Sequence, residues 1–321
     1  MLFHYANALG LFIGYLLDLI LADPKRFHPV AGFGRIANAL DRVVYRDSRF
    51  RGVIFTFMLV GCMSVLGYAV SFYSHQPIIR VVTVSLATWI VLGGTSLIRE
   101  AKKMSELLTY NDLTTARFQL RSLCGRNATS LDDHALARAT VESVAENTSD
   151  AVVAPLFWGA LFGIPGLFVY RAINTLDAMV GHRSARYAKF GTASARLDDL
   201  VNLIPARISG VLAAILAPVV GGSMFRSVQI LIRDGKNHPS PNAGQVEAAF
   251  AGALGVVLGG TNSYEGELDN RPELGHGRVV EIADIERAIR LSRAVQVGAV
   301  FCAVLVSTCL NDPANAVLFF P

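Results

Sequence analysis

Residues 142–181 have the sequence ESVAENTSDAVVAPLFWGALFGIPGLFVYRAINTLDAMVG. Their central part, 151–170, carries no charge, and polar clusters border it on both sides. A stretch of about 20 mostly apolar residues is long enough to enter a lipid bilayer. Pro155, Gly163 and Pro165 interrupt this one. Irregular backbone is tolerated at membrane depth only where protein covers it or where it lines a cavity, so the pattern predicts a broken or re-entrant helix.

The composition of the 321-residue chain is that of a membrane protein. Apolar residues make up 52% of it and charged residues 17%, and its mean hydropathy is +0.43. Soluble domains carry about 25% charged residues, so the composition argues against a cytosolic α/β enzyme. The net charge of +4 is too small to indicate a nucleic-acid partner. The prediction is an all-α polytopic membrane protein: one integral-membrane domain, 1–321, built as a helical bundle with broken embedded segments and cytoplasmic amphipathic helices.

Five further apolar segments extend this pattern along the chain. Four of them predict full spans, near 2–21, 53–73, 81–98 and 294–310. The fifth, 208–225, contains Pro218 and a glycine pair and is predicted to be broken or re-entrant like 151–170. A shorter stretch, 248–260, predicts a packed or interfacial helix. The remaining cytoplasmic helices and loops are expected at 22–52, 99–150, 171–207 and 226–293.

The basic residues between the segments indicate an orientation. Lys and Arg number seven in 22–52, one in 74–80, seven in 99–150, six in 171–207 and eight in 226–293. The positive-inside rule places the richest loops in the cytoplasm and 74–80 outside. A full crossing by 151–170 would put the six basic residues of the next loop outside. The favoured topology therefore has four full spans, both termini outside and two embedded segments that return to the cytoplasmic face; six full spans stay the alternative.

An acidic stripe precedes the central apolar segment. Glu142, Glu146 and Asp150 are spaced i, i+4, i+8 and share one helical face. Like charges at this spacing repel each other, so the stripe is either solvated or bound to a cation. Asn147 and Thr148 lie within it. Because the stripe adjoins a membrane-depth segment, solvation is less available, and a binding site is favoured.

Three more polar clusters lie at the ends of apolar segments. Their candidate site residues are Arg171, Asn174, Thr175 and Asp177; Arg196, Asp198, Asp199, Asn202 and Arg207; and His238, Ser240 and Asn242. Helix capping and interhelical hydrogen bonds are the structural explanation for such residues. Ionisable groups at a membrane boundary are costly and suggest function, and four such clusters in one chain favour a site.

The available side chains narrow the chemistry. The chain has no phosphate-binding G-x-x-x-x-G-K-[ST] loop, no zinc-type His or Cys spacing and no G-x-S-x-G motif. What remains is Asp, Glu and Asn, which suit a hard cation such as Mg²⁺, together with Arg and His, which suit anionic groups. By residue type, this is a site for phosphates held through magnesium.

These clusters resemble one known family. ESVAENTSDAVVAPLF, YRAINTLDAMVG, ARLDDLVNLIPAR, HPSPNAG followed by EAAFAGALGVVLGG, and the early DPKRFHPVAGFGR are similar to the CobD/CbiB family of cobalamin-biosynthesis proteins, the membrane-bound adenosylcobinamide-phosphate (cobinamide) synthases. The resemblance implies an ATP-dependent amide ligase in the cytoplasmic membrane. It would join aminopropanol, or its O-phosphate, to the free propionate carboxylate of adenosylcobyric acid, a corrinoid that is substrate and not prosthetic group.

The resemblance does not assign individual roles, so residue types supply the hypotheses. The catalytic candidates are Glu142, Glu146, Asn147, Asp150, Asn174, Asp177, Asp198 and Asp199. Candidates for binding the nucleotide and substrates are Thr148, Arg171, Thr175, Arg196, Asn202, Arg207, His238, Ser240 and Asn242. Glu146, Asp150 and Asp177 are the expected Mg²⁺ ligands, and His238 is expected to contact a phosphate. The four clusters are expected to form one cytoplasmic site, with HPSPNAG closing over it and excluding water.

Two other classes of function stay open. Broken helices flanked by polar residues also build the binding sites of transporters, although the sequence shows no repeated halves. A non-catalytic membrane sensor of related fold is the other alternative, and the intact acidic and Asn-rich motifs argue against it.

Overall fold

The computed structural model describes residues 2–24, 28–124, 131–182, 184–264 and 267–310. Part of the DPKRFHPVAGFGR motif and the chain after residue 310 lie outside these ranges. The helices are α1 Leu2–Leu21, α2 Pro29–Val44, α3 Arg49–Tyr73, α4 Pro77–Val91, α5 Gly94–Thr109, α6 Leu113–Gln119, α7 Arg121–Cys124, α8 Asp133–Thr148, α9 Ala154–Leu176, α10 Thr192–Ile215, α11 Met224–Asp234, α12 Ala243–Leu254 and α13 Ile282–Leu310. They confirm the all-helical fold class.

One β-hairpin adds to the helices. Strand β1, Leu258–Tyr264, pairs antiparallel with β2, Glu267–Leu274, and the register shifts between Leu258 and Gly260. The packed helix expected at 248–260 is therefore displaced towards the N-terminus: α12 begins at Ala243 and ends at Leu254, and Gly255 caps it with a φ of +71°. Glycine tolerates this left-handed conformation without steric cost, so the helix stops here and the chain turns into the strand.

Among the residues that the structure describes, four helical stretches are long and apolar enough to cross a membrane: Arg49–Tyr73, Pro77–Thr109, Asp133–Gly181 and Ile282–Leu310. The first apolar segment forms a shorter apolar helix, Tyr5–Leu21. The chain is therefore a multi-pass membrane protein by the length and composition of its helices. The predicted spans and their orientation stay predictions.

The chain divides into two compact units. Unit 1 contains residues 1–93, 154–202 and 300–321, and unit 2 contains 94–153 and 203–299. In unit 1, helices α1 and α4 pack closely because two glycines of α1 leave room for the partner helix. Gly10 lies against Val84, and Gly14 lies against Thr88. Small residues at such crossings are typical of helices that associate inside a membrane.

Helix α9 reverses its direction at Gly163. This residue has φ +63° and ψ −142°, a conformation that residues with a Cβ atom rarely adopt. Across the reversal, Gly166 packs against the carbonyl group of Trp158. Residues eight positions apart in a straight helix are separated by about 12 Å along its axis, so this contact requires two antiparallel arms, 154–162 and 164–176. The apolar segment is broken, as its prolines and glycines indicate.

The connection after α9 contacts the end of α2 and the connection between α2 and α3. Lys189 Nζ donates to Asp47 Oδ2 at 2.6 Å, and Arg186 Nη2 donates to Asp41 Oδ2 at 2.9 Å. The Arg186 guanidinium also lies 3.9 Å from the centre of the Tyr45 ring. These contacts favour the same membrane face for 22–52 and 171–207, which is what the four-span hypothesis requires. The number of full spans stays a prediction.

A small apolar core packs beside these contacts. Phe55 and Leu59 of α3 pack with Leu176 at the end of α9 and with Val180 and Phe190 of the connection that follows. Gly52 lies directly against the backbone of Phe190. The core therefore joins the end of α9 to the start of α3.

In unit 2, a second reversal follows α10. The helix ends at Ile215, a 3₁₀ turn covers Ala217–Val220, and α11 then runs back so that Leu231 packs against Gly210. Helix α12 is almost entirely buried beneath α11. Ser227 Oγ of α11 donates to the carbonyl oxygen of Ala249 at 2.7 Å, so α11 is anchored to α12 through its small, polar side.

Replacing Gly163 by Ala should destabilise the protein. The native φ of +63° forces a Cβ atom into a strained conformation that costs of the order of 1–3 kcal/mol. Gly61→Ala in α3 is the matched control, since no atom lies within 4 Å of its Cβ position and Ala favours a helix by about 1 kcal/mol over Gly. Thermal unfolding in detergent should show a lower midpoint for Gly163→Ala alone. Equal midpoints would mean that the reversal tolerates an ordinary residue.

A cysteine at Lys189 should react with a membrane-impermeant maleimide only from the cytoplasmic side. The background would replace the native cysteines by Ser, with Asp47→Cys as the inside control and Gln76→Cys, in the connection predicted to lie outside, as the opposite control. Losing the exposed Lys189–Asp47 ion pair should cost at most about 1 kcal/mol. Labelling of position 189 from outside intact cells would contradict the four-span topology.

Candidate functional site

Asp198, near the start of α10, accepts hydrogen bonds on both carboxylate oxygens. Asn174 Nδ2 of α9 donates to Oδ1 at 3.5 Å, and Asn202 Nδ2, one turn further along α10, donates to Oδ2 at 3.0 Å. A carboxylate held at both oxygens has a defined orientation, which is a requirement for a side chain that positions a reactant.

The two amide side chains are held in turn. Tyr170 donates its hydroxyl proton to Asn202 Oδ1 at 3.0 Å, and Arg171 Nη1 donates to Asn174 Oδ1 at 3.4 Å. Thr175 Oγ1 donates to the carbonyl oxygen of Arg171 at 2.7 Å. A continuous hydrogen-bond network therefore runs from the Arg171 guanidinium through the Asp198 carboxylate to the Tyr170 hydroxyl. It includes five residues of the two clusters predicted here: Arg171, Asn174, Thr175, Asp198 and Asn202.

The charge state of this network is set by two carboxylates. Burial and the neighbouring Asp177 carboxylate raise the pKa of Asp198 to about 7, against the lowering effect of the Asn202 and Asn174 hydrogen bonds. Burial also raises the pKa of the adjacent Asp199. Two carboxylates that share a poorly hydrated site, here Asp198 and Asp177, favour a proton or a cation between them. The arrangement is therefore suited to binding a positively charged group.

A cavity of about 340 Å³ adjoins the network. Arg171 and Thr175 line it, and the rest of its wall is apolar, with Phe33 and Ile36 from α2 and Phe168 from α9. An apolar cavity with a few polar groups at one place is typical of a site for a small molecule or part of a larger one. The network and the cavity together form the candidate site of unit 1.

The acidic stripe of unit 2 divides into two parts. Glu142 is buried, and its Oε1 accepts a hydrogen bond from the backbone N–H of Gly259 at 2.8 Å, with Arg138 Nε at 4.0 Å. Glu142 therefore holds the start of the β-hairpin, a structural contact that its sequence spacing did not indicate. Glu146 and Asp150 are only partly buried and stay the ligand candidates of the stripe.

The side chains between them have partners on their own helix. Asn147 Nδ2 donates to the carbonyl oxygen of Ser143 at 2.9 Å, and Thr148 Oγ1 donates to that of Val144 at 2.6 Å. Thr148 Oγ1 also lies 2.6 Å from Ser292 Oγ of α13, which ties α8 to α13. Both residues thus have structural contacts, and their predicted binding roles stay predictions.

Two π-helical turns contain predicted magnesium ligands. Ser149–Val153 follows α8 and includes Asp150, whereas Asp177–Gly181 follows α9 and includes Asp177. Such turns widen the helix locally and occur frequently at functional sites. Within the described ranges, no three His, Cys, Asp or Glu side chains meet as a metal site. Mg²⁺ usually binds one or two carboxylates plus phosphate oxygens and water, so the donors present fit that ion.

The loop with His238 is held by internal contacts. His238 Nδ1 accepts a hydrogen bond from the N–H of Ser240 at 3.0 Å, and its Nε2 lies 3.9 Å from Glu247 Oε1, both side chains being buried. Ser240 Oγ accepts from the N–H of Ala243 at 3.2 Å, and Asn242 is buried beside it. These contacts shape the turn into α12; the expected phosphate contact of His238 stays a prediction.

The remaining candidates lie apart from these contacts. Arg196 is exposed on α10. Arg207 is exposed in unit 2, and its Nη1 donates to the carbonyl oxygen of Leu203, one turn earlier.

Two residues that contribute to these clusters were missed by sequence reasoning. Tyr170 lies one turn before Asn174 on the same face of α9, and Glu247 is a carboxylate inside an apolar helix; both positions are signals that the sequence contains.

The stability of the magnesium-free protein should fall as the pH rises from about 4 to about 7. Because the folded-state pKa of Asp198 is raised to about 7, the folded state binds a proton that the unfolded state has already released, and ionisation then favours unfolding. In EDTA-containing detergent, the thermal midpoint of the wild type should decline across this range. Asp198→Asn should flatten the decline, whereas Asp47→Asn, an exposed control, should not. An unchanged slope for Asp198→Asn would contradict the assignment.

Comparison with known proteins identifies the family. The model of the family described as CobD/Cbib protein matches residues 11–292. The chain is 52% identical over 302 residues to cobalamin biosynthesis protein CobD of Mycobacterium tuberculosis, covering 94% of this chain and 96% of that protein. It is 43% identical to the protein of that name from Geobacter metallireducens, covering 81% and 84% of the two chains, and 36% identical to that from Clostridium acetobutylicum, covering 83% and 87%. No solved structure matches. The chain belongs to the CobD/CbiB family of cobalamin biosynthesis proteins.

Proposed function

We propose that this protein is an ATP-dependent ligase that forms an amide between the free propionate carboxylate of adenosylcobyric acid and aminopropanol or aminopropanol O-phosphate. The observation that carries the proposal is the Asp198 carboxylate, held at both oxygens and placed beside Asp177. An amine that is about to form an amide arrives as an ammonium group at neutral pH, and an oriented carboxylate with a second carboxylate beside it attracts that group. The cytoplasmic membrane is the proposed location, with the site facing the cytoplasm.

The chemistry requires activation of the carboxylate. Transfer of the γ-phosphoryl group of ATP to the propionate oxygen forms an acyl phosphate and releases ADP. The neutral amine then attacks the acyl carbon, the C–N bond forms, and phosphate leaves as the C–O bond breaks. The amine loses a proton in this step, and a carboxylate beside the amine is the type of group that accepts it.

The apolar cavity supports the assignment of a large amphipathic substrate. Its wall is apolar apart from Arg171 and Thr175, so it suits a hydrocarbon part of a ligand whose polar part lies at the network. We propose that one edge of the corrinoid enters this cavity. The Arg171 guanidinium, which is held by Asn174, would then lie near the anionic groups of the reactants.

The proposed magnesium site uses the donors of the stripe. Glu146 and Asp150 are partly buried carboxylates, and Ser149 Oγ between them is buried without a hydrogen-bond partner in the described chain. A buried hydroxyl of this kind is consistent with a ligand or its water shell nearby. Mg²⁺ bound here would neutralise the phosphate charge of the nucleotide. Asp177, the other predicted ligand, belongs to unit 1.

Glu146→Gln and Asp150→Asn should each abolish ligation and leave the protein in the membrane. Each substitution keeps the shape and removes one charge from the cation site, so activity should fall on the order of 100-fold or more, and the Mg²⁺ concentration for half-maximal rate should rise. Glu106→Gln, an exposed position on α5, is the matched control and should retain full activity. Wild-type rates in both variants would mean that the stripe is a solvated helix face and not a cation site.

Mass spectrometry of the products tests the reaction itself. The detergent-purified protein would receive adenosylcobyric acid, Mg-ATP and either aminopropanol or its phosphate. The amide product and ADP should appear only when all three reactants are present. ATP turnover without an amide, or substrate movement across reconstituted vesicles without any product, would contradict a ligase and favour a transporter.

A further inference from the structure

Helix α11 turns its apolar face away from the unit to which it belongs. Its buried residues are Ser227, Ile230 and Asp234, whereas Phe225 and Ile232 are 78% and 71% exposed. At about 100° per residue, Phe225 and Ile232 lie opposite the buried side. A helix on the surface of a soluble domain places its apolar stripe against the core, so α11 has the reverse arrangement.

The exposed apolar surface continues into the preceding turn. Ile215 at the end of α10, Val219 in the 3₁₀ turn and Met224 at the start of α11 are each about half exposed. Isolated exposed apolar residues are common on proteins, but several large ones on consecutive elements of the chain indicate an interaction surface. The strip from Ile215 to Ile232 therefore needs a partner that is itself apolar.

Basic residues border this strip. Arg226 is exposed, and its Nε donates to the carbonyl oxygen of Gly252 at the end of α12 at 3.0 Å. Lys236 is exposed just beyond the end of α11. An amphipathic helix with cations beside its apolar face is typical of the membrane interface, where the cations meet lipid phosphates. Its 11 residues are too few to span a bilayer.

The other side of α11 is fixed firmly. Ser227 is bonded to α12, and Asp234 Oδ2 accepts a hydrogen bond from the N–H of Gly275 at 2.8 Å. The Arg233 guanidinium beside Asp234 holds the pKa of that carboxyl below its ordinary value, so this anchor is charged at neutral pH. The helix cannot rotate its apolar face inward without breaking these bonds.

We propose that α11 is an interfacial membrane helix. Phe225 and Ile232 insert among the acyl chains of one leaflet, and Arg226 and Lys236 bind the phosphates of anionic lipids. Because the HPSPNAG loop begins shortly after Asp234, the helix also tethers that loop at the membrane surface. This assignment does not depend on the proposed ligase activity.

Depth-dependent quenching of a fluorophore tests the proposal on the full chain. Single cysteines at Phe225 or Ile232, in the cysteine-free background, would carry an NBD label in nanodiscs of phosphatidylcholine and phosphatidylglycerol. Lipids with a doxyl group near the top of the acyl chain should reduce the emission of both labels about twofold, because an interfacial helix buries its apolar face by about 5–10 Å. A label at Thr114, an exposed polar position on α6 that lies outside the four apolar stretches, is the control and should not be quenched.

The other outcomes are distinguishable. Red-shifted, unquenched emission would place the strip in water, and blue-shifted, unquenched emission would show that a second copy or another protein covers it; either overturns the proposal. In discs of phosphatidylcholine alone, quenching should weaken, and Lys236→Gln should weaken it in the mixed discs. Quenching that is independent of lipid charge would contradict the proposed contacts of Arg226 and Lys236 with lipid phosphates. A wild-type elution profile of each labelled protein confirms folding.

Discussion

The reversal of α9 at Gly163 is the constraint on which the arrangement of unit 1 depends. A straight helix would carry residues 164–176 away from the arm that precedes them. The reversal instead sets 164–176 antiparallel to 154–162, and α3 packs along the hairpin so that Gly67 lies against the backbone of Pro165. Backbone groups freed at such a break need cover from protein. Here that cover includes Asn7 of α1, whose Oδ1 lies 3.4 Å from the Cβ position of Gly163.

The polar network follows from the same constraint. The returning arm presents Tyr170 and Asn174 one turn apart, and the start of α10 presents Asp198 and Asn202 one turn apart. Two helices with polar residues at matching intervals bond to each other at two levels, so the carboxylate between them is fixed from both sides. Removing a single amide would leave a partly buried carboxylate oxygen without its donor, which costs more than an ordinary hydrogen bond contributes.

The sequence predicts much of this architecture but not its pairings. Pro155, Gly163 and Pro165 indicate a break, and charge-free segments indicate the membrane helices, because both signals are local. The bond between Tyr170 and Asn202 depends on the register of α9 against α10, which no local pattern contains. Glu142 was expected to share the role of Glu146 because spacing alone cannot show that Gly259, 117 positions later, donates to it.

The α9 hairpin also has a consequence for how the chain is inserted during synthesis. Helix continues on both sides of the hairpin, but the uncharged part of each arm, 151–162 and 164–170, is shorter than the roughly 20 residues that a spanning helix needs. Neither arm alone therefore offers the insertion machinery a complete apolar span. The arms must enter together, and the polar ends of the hairpin must stay on the side from which it entered. Helix α3 is synthesised earlier and already offers the Gly67 surface, so we expect it to act as the template against which the hairpin folds. The hairpin would then fold against a helix that is already in the membrane, and the elements of this unit would assemble in the order of their synthesis.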